Sequence, residues 1–163
     1  MGAGRPDDLI TLRDLLVPEA IFPRSRWQGR KQVLAEMSEA MAVALGLDPR
    51  TVHEAVLERE RLGATGVGEG VAIPHARVEG LVRPAGGFAR LVDPADFDAI
   101  DERRCDLVFM LLAPAEAGAD HLRALARVSR NFRQHAVREA LRKAQTVEAV
   151  LAILAPHEAS DAA

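Results

Sequence analysis

Apolar residues follow two rhythms along this chain. Over residues 31–45, Val33, Leu34, Met37, Met41 and Leu45 recur at the spacing that places them on one helix face, and Gly46 follows as a stop. Asp48 then has the form of an N-cap, with Pro49 at the first helical position. Val52, Ala55, Val56 and Arg59 share a face of this second helix, and Gly63 closes it. Residues 87–92 and 106–112 read as strands. The second is a nearly unbroken apolar run, the pattern of a strand covered on both faces. Further helices are predicted over 119–132, 134–144 and 147–154, the last with Thr146 as N-cap. Buried strands set between helices predict an α/β fold, a single domain in which a small mixed β-sheet is flanked by helices. That domain is expected over residues 8–155, with 1–7 and 156–163 as flexible tails.

Composition narrows the class. Of 163 residues, 48% are hydrophobic and 28% charged, a balance that supports a packed core and excludes wholesale disorder. The net charge of −3 argues against a general nucleic-acid binder. Cys105 is the single cysteine, so no internal disulfide can form, and a small buried core residue is its expected role. The first residues lack the basic-then-apolar layout of a signal peptide, and the longest apolar runs, 107–113 and 149–155, are too short to span a bilayer. No membrane insertion is expected, and the cytoplasm is the expected compartment. No spaced histidine or cysteine pair suggests a metal, and no G-x-S-x-G elbow suggests a serine hydrolase. Neither metal nor cofactor is expected.

The densest chemical signal lies in residues 59–77. Gly66, Gly68 and Gly70 alternate, which suits close backbone approach or positive φ. Their spacing does not match a dinucleotide fingerprint, and no Gly-Lys-Ser/Thr of a P-loop is present. The loop leads to Pro74, which would hold His75 rigidly at the end of a short strand. Histidine titrates near neutrality and is a competent nucleophile, but backbone-bonded histidines are also common. His121 falls at the predicted start of a helix, where free N–H groups favour anions; the plainer alternative makes Asp120 the N-cap and His121 exposed. Arg59 offers a forked donor for phosphate oxygens, or a surface ion pair with Glu58 or Glu54, and Arg77 is a weaker candidate of the same kind. Residues 120–143 carry a surplus of five positive charges. Arg123, Arg127 and Arg130 fall on one helix face, opposite Leu122, Leu125 and Phe132; that face is either solvated or a dock for an acidic partner.

The run from Arg59-Glu60 through Gly63-Ala64-Thr65-Gly66-Val67-Gly68-Glu69-Gly70-Val71-Ala72-Ile73-Pro74-His75-Ala76-Arg77 resembles the active-site signature of enzyme IIA of the phosphoenolpyruvate phosphotransferase system, fructose/mannitol class. The likeness extends through residues 87–91, 97–101, 106–114 and 117–126, and covers roughly 8–155. It is closer still to the nitrogen-regulatory (PtsN-like) members of that family. The resemblance implies that His75 accepts a phosphoryl group from the phosphohistidine of an HPr-like carrier. It puts the second active-site histidine at His121 and the active-site arginine at Arg59, with Thr65 in the adjoining loop. It also implies a mixed sheet flanked by helices.

Phosphoryl transfer asks the protein mainly for alignment and charge stabilisation, which His75, His121 and Arg59 can supply. The glycines would let backbone N–H groups of the loop approach the phosphate. Three functions remain open on these residues. One is a regulatory phosphocarrier whose phosphorylation state controls partners in potassium transport or nitrogen metabolism, including sensor kinases. The second is a sugar-specific IIA that passes phosphate to a IIB component. The third is an interaction module, never phosphorylated, that binds through its arginine face.

Overall fold

The structure, a computed structural model, describes residues 12–155. A single turn, α1 (Leu12–Leu15), leads into β1 (Leu16–Ser25). Two helices follow, α2 (Gly29–Leu45) and α3 (Pro49–Leu62). Gly46 ends α2 at φ +73°, a left-handed conformation that glycine adopts without a Cβ clash. Asp48 caps α3 as its sequence suggests, accepting from the Thr51 amide at 3.2 Å. Next come three short strands, β2 (Gly66–Gly68), β3 (Val71–Ala72) and β4 (His75–Val78), then two long ones, β5 (Ala85–Ala95) and β6 (Cys105–Pro114). The chain closes with α4 (Ala119–Phe132), α5 (His135–Lys143) and α6 (Val147–Leu154), and Thr146 caps α6 through the Ala149 amide at 3.1 Å.

The six strands form one mixed sheet in the order β1-β5-β6-β3-β2, with β4 also paired to β6. β5 and β6 run antiparallel at its centre, and β1, β3 and β4 join by parallel pairing. The apolar run of β6 is explained by its position. Leu107, Phe109 and Leu111 face a core formed with α4, α5 and α6, while Val108, Met110 and Leu112 face a second core formed with α2 and α3. Successive side chains of a strand point to opposite faces, so a strand covered twice must be apolar throughout. Cys105 is fully buried at the start of β6, where burial, reinforced by Asp101 and Asp106, pushes its thiol up to about 12. It is a small core residue, as expected.

The pattern over Leu16–Ser25 does not predict the strand found there. Pro18 and Pro23 lie inside β1, and its burial does not alternate cleanly. β1 is an edge strand, paired only to β5, and an edge tolerates prolines because only one side of its backbone must hydrogen-bond within the sheet. The expected tails at 1–7 and 156–163, and domain residues 8–11, lie outside the described residues.

Candidate functional site

β3 and β4 are two pieces of one path along the same side of β6. Val71 and Ala72 register with Leu107 and Val108, and His75 to Val78 register with Leu111 to Pro114. Ile73 and Pro74 separate them, and the Pro74 carbonyl accepts from the Leu111 amide at 2.9 Å. Proline lacks an N–H and interrupts the ladder, but the register on β6 resumes unchanged beyond it and delivers His75 towards the C-terminal end of β6.

His75 is half-buried, and its Nδ1 lies 2.7 Å from the Ile73 carbonyl. A carbonyl oxygen only accepts, so the ring proton resides on Nδ1 and the Nε2 lone pair is left free. Burial holds the His75 pKa below its usual value, and the Arg59 charge adds to this, against the opposing pull of the Ile73 bond. The ring is therefore neutral at physiological pH, the state in which Nε2 can attack.

β6 hands over to α4 through a tight turn in which the Asp120 and His121 amides donate to the Ala117 and Gly118 carbonyls at 3.2 Å each. Those two N–H groups are engaged by the turn rather than open to an anion. His121 is 6% exposed and continues the buried stripe of α4 formed by Ala124, Val128 and Phe132. Its ring centroid lies 5.7 Å from that of His75, with the planes at 52°. Among the described residues its Nδ1 is buried without a hydrogen-bond partner. Burial, followed by His75, Arg77 and Arg59, holds its pKa below the usual value. The plainer alternative fails on both counts: His121 is not exposed, and Asp120 pairs with Arg123 instead of capping the helix.

Arg59 sits in the last turn of α3 and donates from Nη1 to the Gly63 carbonyl at 2.9 Å. The ion pair considered for it with Glu58 is made instead by Arg61. Its charge depresses the pKa of both histidines. Arg77 is exposed on β4, two residues beyond His75. Thr65 is 3% exposed, and its carbonyl accepts from the Ile73 amide at 2.9 Å, one residue before Pro74. His75, His121, Arg59, Arg77 and Thr65 thus converge from α3, β4, α4 and the segment after α3.

The glycines do not converge with them as a group. The Gly70 carbonyl accepts from the Asp106 and Leu107 amides at 3.0 Å, whereas His75 lies opposite Leu111. That separation along β6 amounts to about 13 Å of extended chain. Gly70 has φ +79°, and a Cβ there would meet Arg142 Nη2 at 2.6 Å. A Cβ on Gly66 would meet that of Ala99 at 2.9 Å, and Gly68 sits at φ +100° beside Asp101. Close approach and positive φ are both present, but they serve the β2–β3 hairpin and its packing.

The arginine face is also redistributed. Leu122 is 64% exposed and so is not part of the apolar face opposite the arginines, while Leu125 is half-buried and Phe132 buried. Arg123 pairs with Asp120, and Arg130 is exposed. Arg127 also lies on α4, half-buried. Arg138 is 7% exposed and donates to the Phe132 and Arg133 carbonyls at 3.0 and 2.8 Å, closing the C-terminal end of α4. Arg142 binds Asp106 with both Nε and Nη2, at 2.9 and 3.0 Å. Two of the cations counted in the basic segment are therefore internal ties.

One residue beside the site went unassigned in the sequence. The side chain of Glu60 is only 7% exposed; it accepts the Thr65 hydroxyl, and Arg30 Nη1 lies 3.6 Å from its other oxygen. Burial raises its pKa, against the lowering effects of Thr65, Arg30 and Arg59. Its signal in the sequence is the Arg59-Glu60 pair within the signature. Among the described residues no cluster of three His, Cys, Asp or Glu is placed to hold a metal, and no helix is long and apolar enough to cross a membrane.

The site is thus a half-buried histidine close to a second histidine, with an arginine charge nearby, on a mixed sheet between helical layers. Residues 14–156 match the family model described as phosphoenolpyruvate-dependent sugar phosphotransferase system, EIIA 2, and the chain belongs to that family. It is 45% identical over 144 residues to a nitrogen regulatory protein of Bradyrhizobium diazoefficiens, covering 88% of this chain and 94% of that one. The crystal structure of nitrogen regulatory protein IIA-Ntr from Neisseria meningitidis superposes with a TM-score of 0.82 at 34% identity, over 88% of this chain and 98% of that one. The fold is shared as well by enzyme IIA of the Escherichia coli mannitol system, solved in complex with phosphorylated IIB, at TM-score 0.74, 21% identity, and 88% and 100% coverage.

Proposed function

We propose that this chain is a regulatory phosphocarrier of the nitrogen-regulatory branch of the EIIA family. The observation that carries the reading is the His75 ring. Its Nδ1 is tied to the Ile73 carbonyl at 2.7 Å, which leaves Nε2 unprotonated on a ring whose centroid lies 5.7 Å from that of His121. In the proposed step, Nε2 of His75 attacks the phosphorus of a phosphohistidine on an HPr-like carrier. A new N–P bond forms at His75, the donor N–P bond breaks, and its electron pair returns to the carrier imidazole. Arg59 and the neutral His121 stabilise charge spread over the equatorial oxygens. The donor is itself a phosphoprotein, so the step requires no nucleotide or metal.

Transfer adds a charge of about −1.5 to −2 at the surface around His75. Docking partners there would discriminate the two states by electrostatics, without a large conformational change. The reading places the chain in the cytoplasm with its carrier, and its targets among potassium-transport proteins or sensor kinases. The likeness to nitrogen regulatory proteins over nearly the full length of each supports regulation over a sugar-specific role.

The test is intact mass after incubation with enzyme I, an HPr-like carrier and phosphoenolpyruvate. One acid-labile phosphate is expected on the wild type and none on His75→Ala. No phosphate on the wild type, with a carrier from the same organism, would overturn the reading. Onward passage of that phosphate to a IIB protein in extract would replace regulation with the sugar-specific role.

A further inference from the structure

The sequence signature pairs Arg59 with Glu60, and the structure gives the glutamate a connection to the reactive histidine. Glu60 accepts the hydroxyl of Thr65 at Oε2. The Thr65 carbonyl holds the Ile73 amide at 2.9 Å, and the Ile73 carbonyl holds His75 Nδ1 at 2.7 Å. Three consecutive contacts therefore run from a buried carboxylate to the ring whose far nitrogen must be free. The same short segment also holds Arg59. The Gly63 amide returns to the Glu60 carbonyl at 3.3 Å, and Arg59 donates to the Gly63 carbonyl at 2.9 Å.

Glu60 is not an ordinary end-of-helix acid. Its side chain is 7% exposed, and among the described residues its Oε1 has no hydrogen-bond partner. The nearby cation, Arg30, stands 3.6 Å away and is shared with Asp98 at 3.2 Å. A buried carboxylate with one oxygen unsatisfied is costly to keep, so a fold that retains it for stability alone is poorly served. The geometry points to Glu60 as a positioning residue: through Thr65 and the Ile73 backbone it fixes the orientation of the His75 ring and keeps its proton on Nδ1. This rests on the phosphocarrier reading for its consequence, since an accepting Nε2 matters only if His75 accepts.

The test compares Glu60→Leu, which removes the acceptor, with Glu60→Gln, which keeps an oxygen for the Thr65 hydroxyl. Glu54→Gln, at an exposed position on the same helix, is the control. Two readouts are taken. The first is the ¹⁵N shift pattern of the His75 ring in the unphosphorylated protein. The wild type and Glu60→Gln are expected to show the Nδ1–H tautomer, and Glu60→Leu a mixture with Nε2–H. The second is the single-turnover rate of phosphorylation at saturating carrier. Glu60→Leu is expected to lose about ten- to a hundred-fold, the scale for loss of a group that orients a reacting one, with carrier affinity retained. Should Glu60→Leu fail to fold, Thr65→Val severs the same contact and is read in the same two ways. A wild-type ring pattern in the folded variant overturns the inference, whatever the rate. Absence of phosphate on the wild type would instead overturn the phosphocarrier reading, while the ring pattern would still decide whether Glu60 sets the tautomer.

Discussion

Gly70→Ala separates two roles that the glycine loop could have, support of the hairpin or cradling of a phosphate. Gly70 sits at φ +79°, where an alanine is strained by about 1–2 kcal/mol. The added Cβ would also approach Arg142 Nη2 to 2.6 Å and Asp106 Oδ1 to 2.9 Å. Arg142 would have to move, and Nη2 is the atom that bonds the Glu69 carbonyl at 2.9 Å and Asp106 at 3.0 Å. The Arg142 and Asp106 side chains are 20% and 22% exposed, so weakening their bond costs roughly 1–2 kcal/mol, the lower part of the range for charge-assisted bonds. Together these give about 2–4 kcal/mol, or a fall in Tm of roughly 5–15 °C for a domain of this size. The assay is thermal and urea unfolding, paired with the phosphorylation rate measured well below the lowered Tm. That rate should stay within a few-fold of wild type, because the Gly70 carbonyl binds β6 at Leu107 while His75 registers with Leu111. A variant with unchanged stability and no phosphorylation would refute the reasoning and return Gly70 to the phosphate site.

The pH dependence follows from the histidines. His75 and His121 both have pKa values held below the ordinary value near 6.5, so the folded state binds fewer protons than the unfolded state as pH falls through that region. Their contribution to stability is intact above about 6.5 and is lost progressively below it; urea titrations at stepped pH should show this decline, and it should vanish in a His75→Ala, His121→Ala double variant. The phosphorylation rate of His75 should likewise stay flat from neutral pH down past the usual histidine pKa before falling. His121→Ala should leave His75 modifiable but slow the transfer by about a hundred- to a thousand-fold, the range for loss of one charge-stabilising donor; an unchanged rate would remove its assigned role.

Several elements were legible because their signal is local. The Asp48-Pro49 start of α3, the Gly46 stop of α2 and the Thr146 cap of α6 depend on residues a few positions apart, and each is found as the sequence suggests. β6 was legible because a strand covered on both faces needs apolar residues throughout. β1 was not, because its prolines are permitted only by its place at the sheet edge, and edge position is a property of the assembled sheet. A short strand is expected to end at His75, and β3 lies just before it while His75 itself opens β4; β2 and the run of β4 beyond His75 were hidden for a related reason. They are strands by virtue of the partner they lie on, and Pro74 and three glycines make them look like loop in isolation.

At the site, the chain's own order of residues settled the chemistry on offer: a histidine presented after a proline, an arginine at the end of a helix, and a second histidine at the start of another. It also settled the family, through a signature with few alternatives. Only the tertiary structure decided which of these groups meet. His121 is a candidate by position, and burial is what brings it to His75, since the stripe with Ala124, Val128 and Phe132 turns it inward, ring centroids 5.7 Å apart. The glycines moved the other way, to the hairpin, because register along β6 separates residues that look adjacent in the sequence. Two arginines of the basic segment became internal ties for the same kind of reason. Arg142 meets Asp106 across 36 positions of chain, and Arg138 meets the α4 carbonyls, contacts that no local pattern encodes. Local spacing specifies helices and caps because their hydrogen bonds are local. Partners, tautomers and burial depend on which distant strands and helices come to lie side by side.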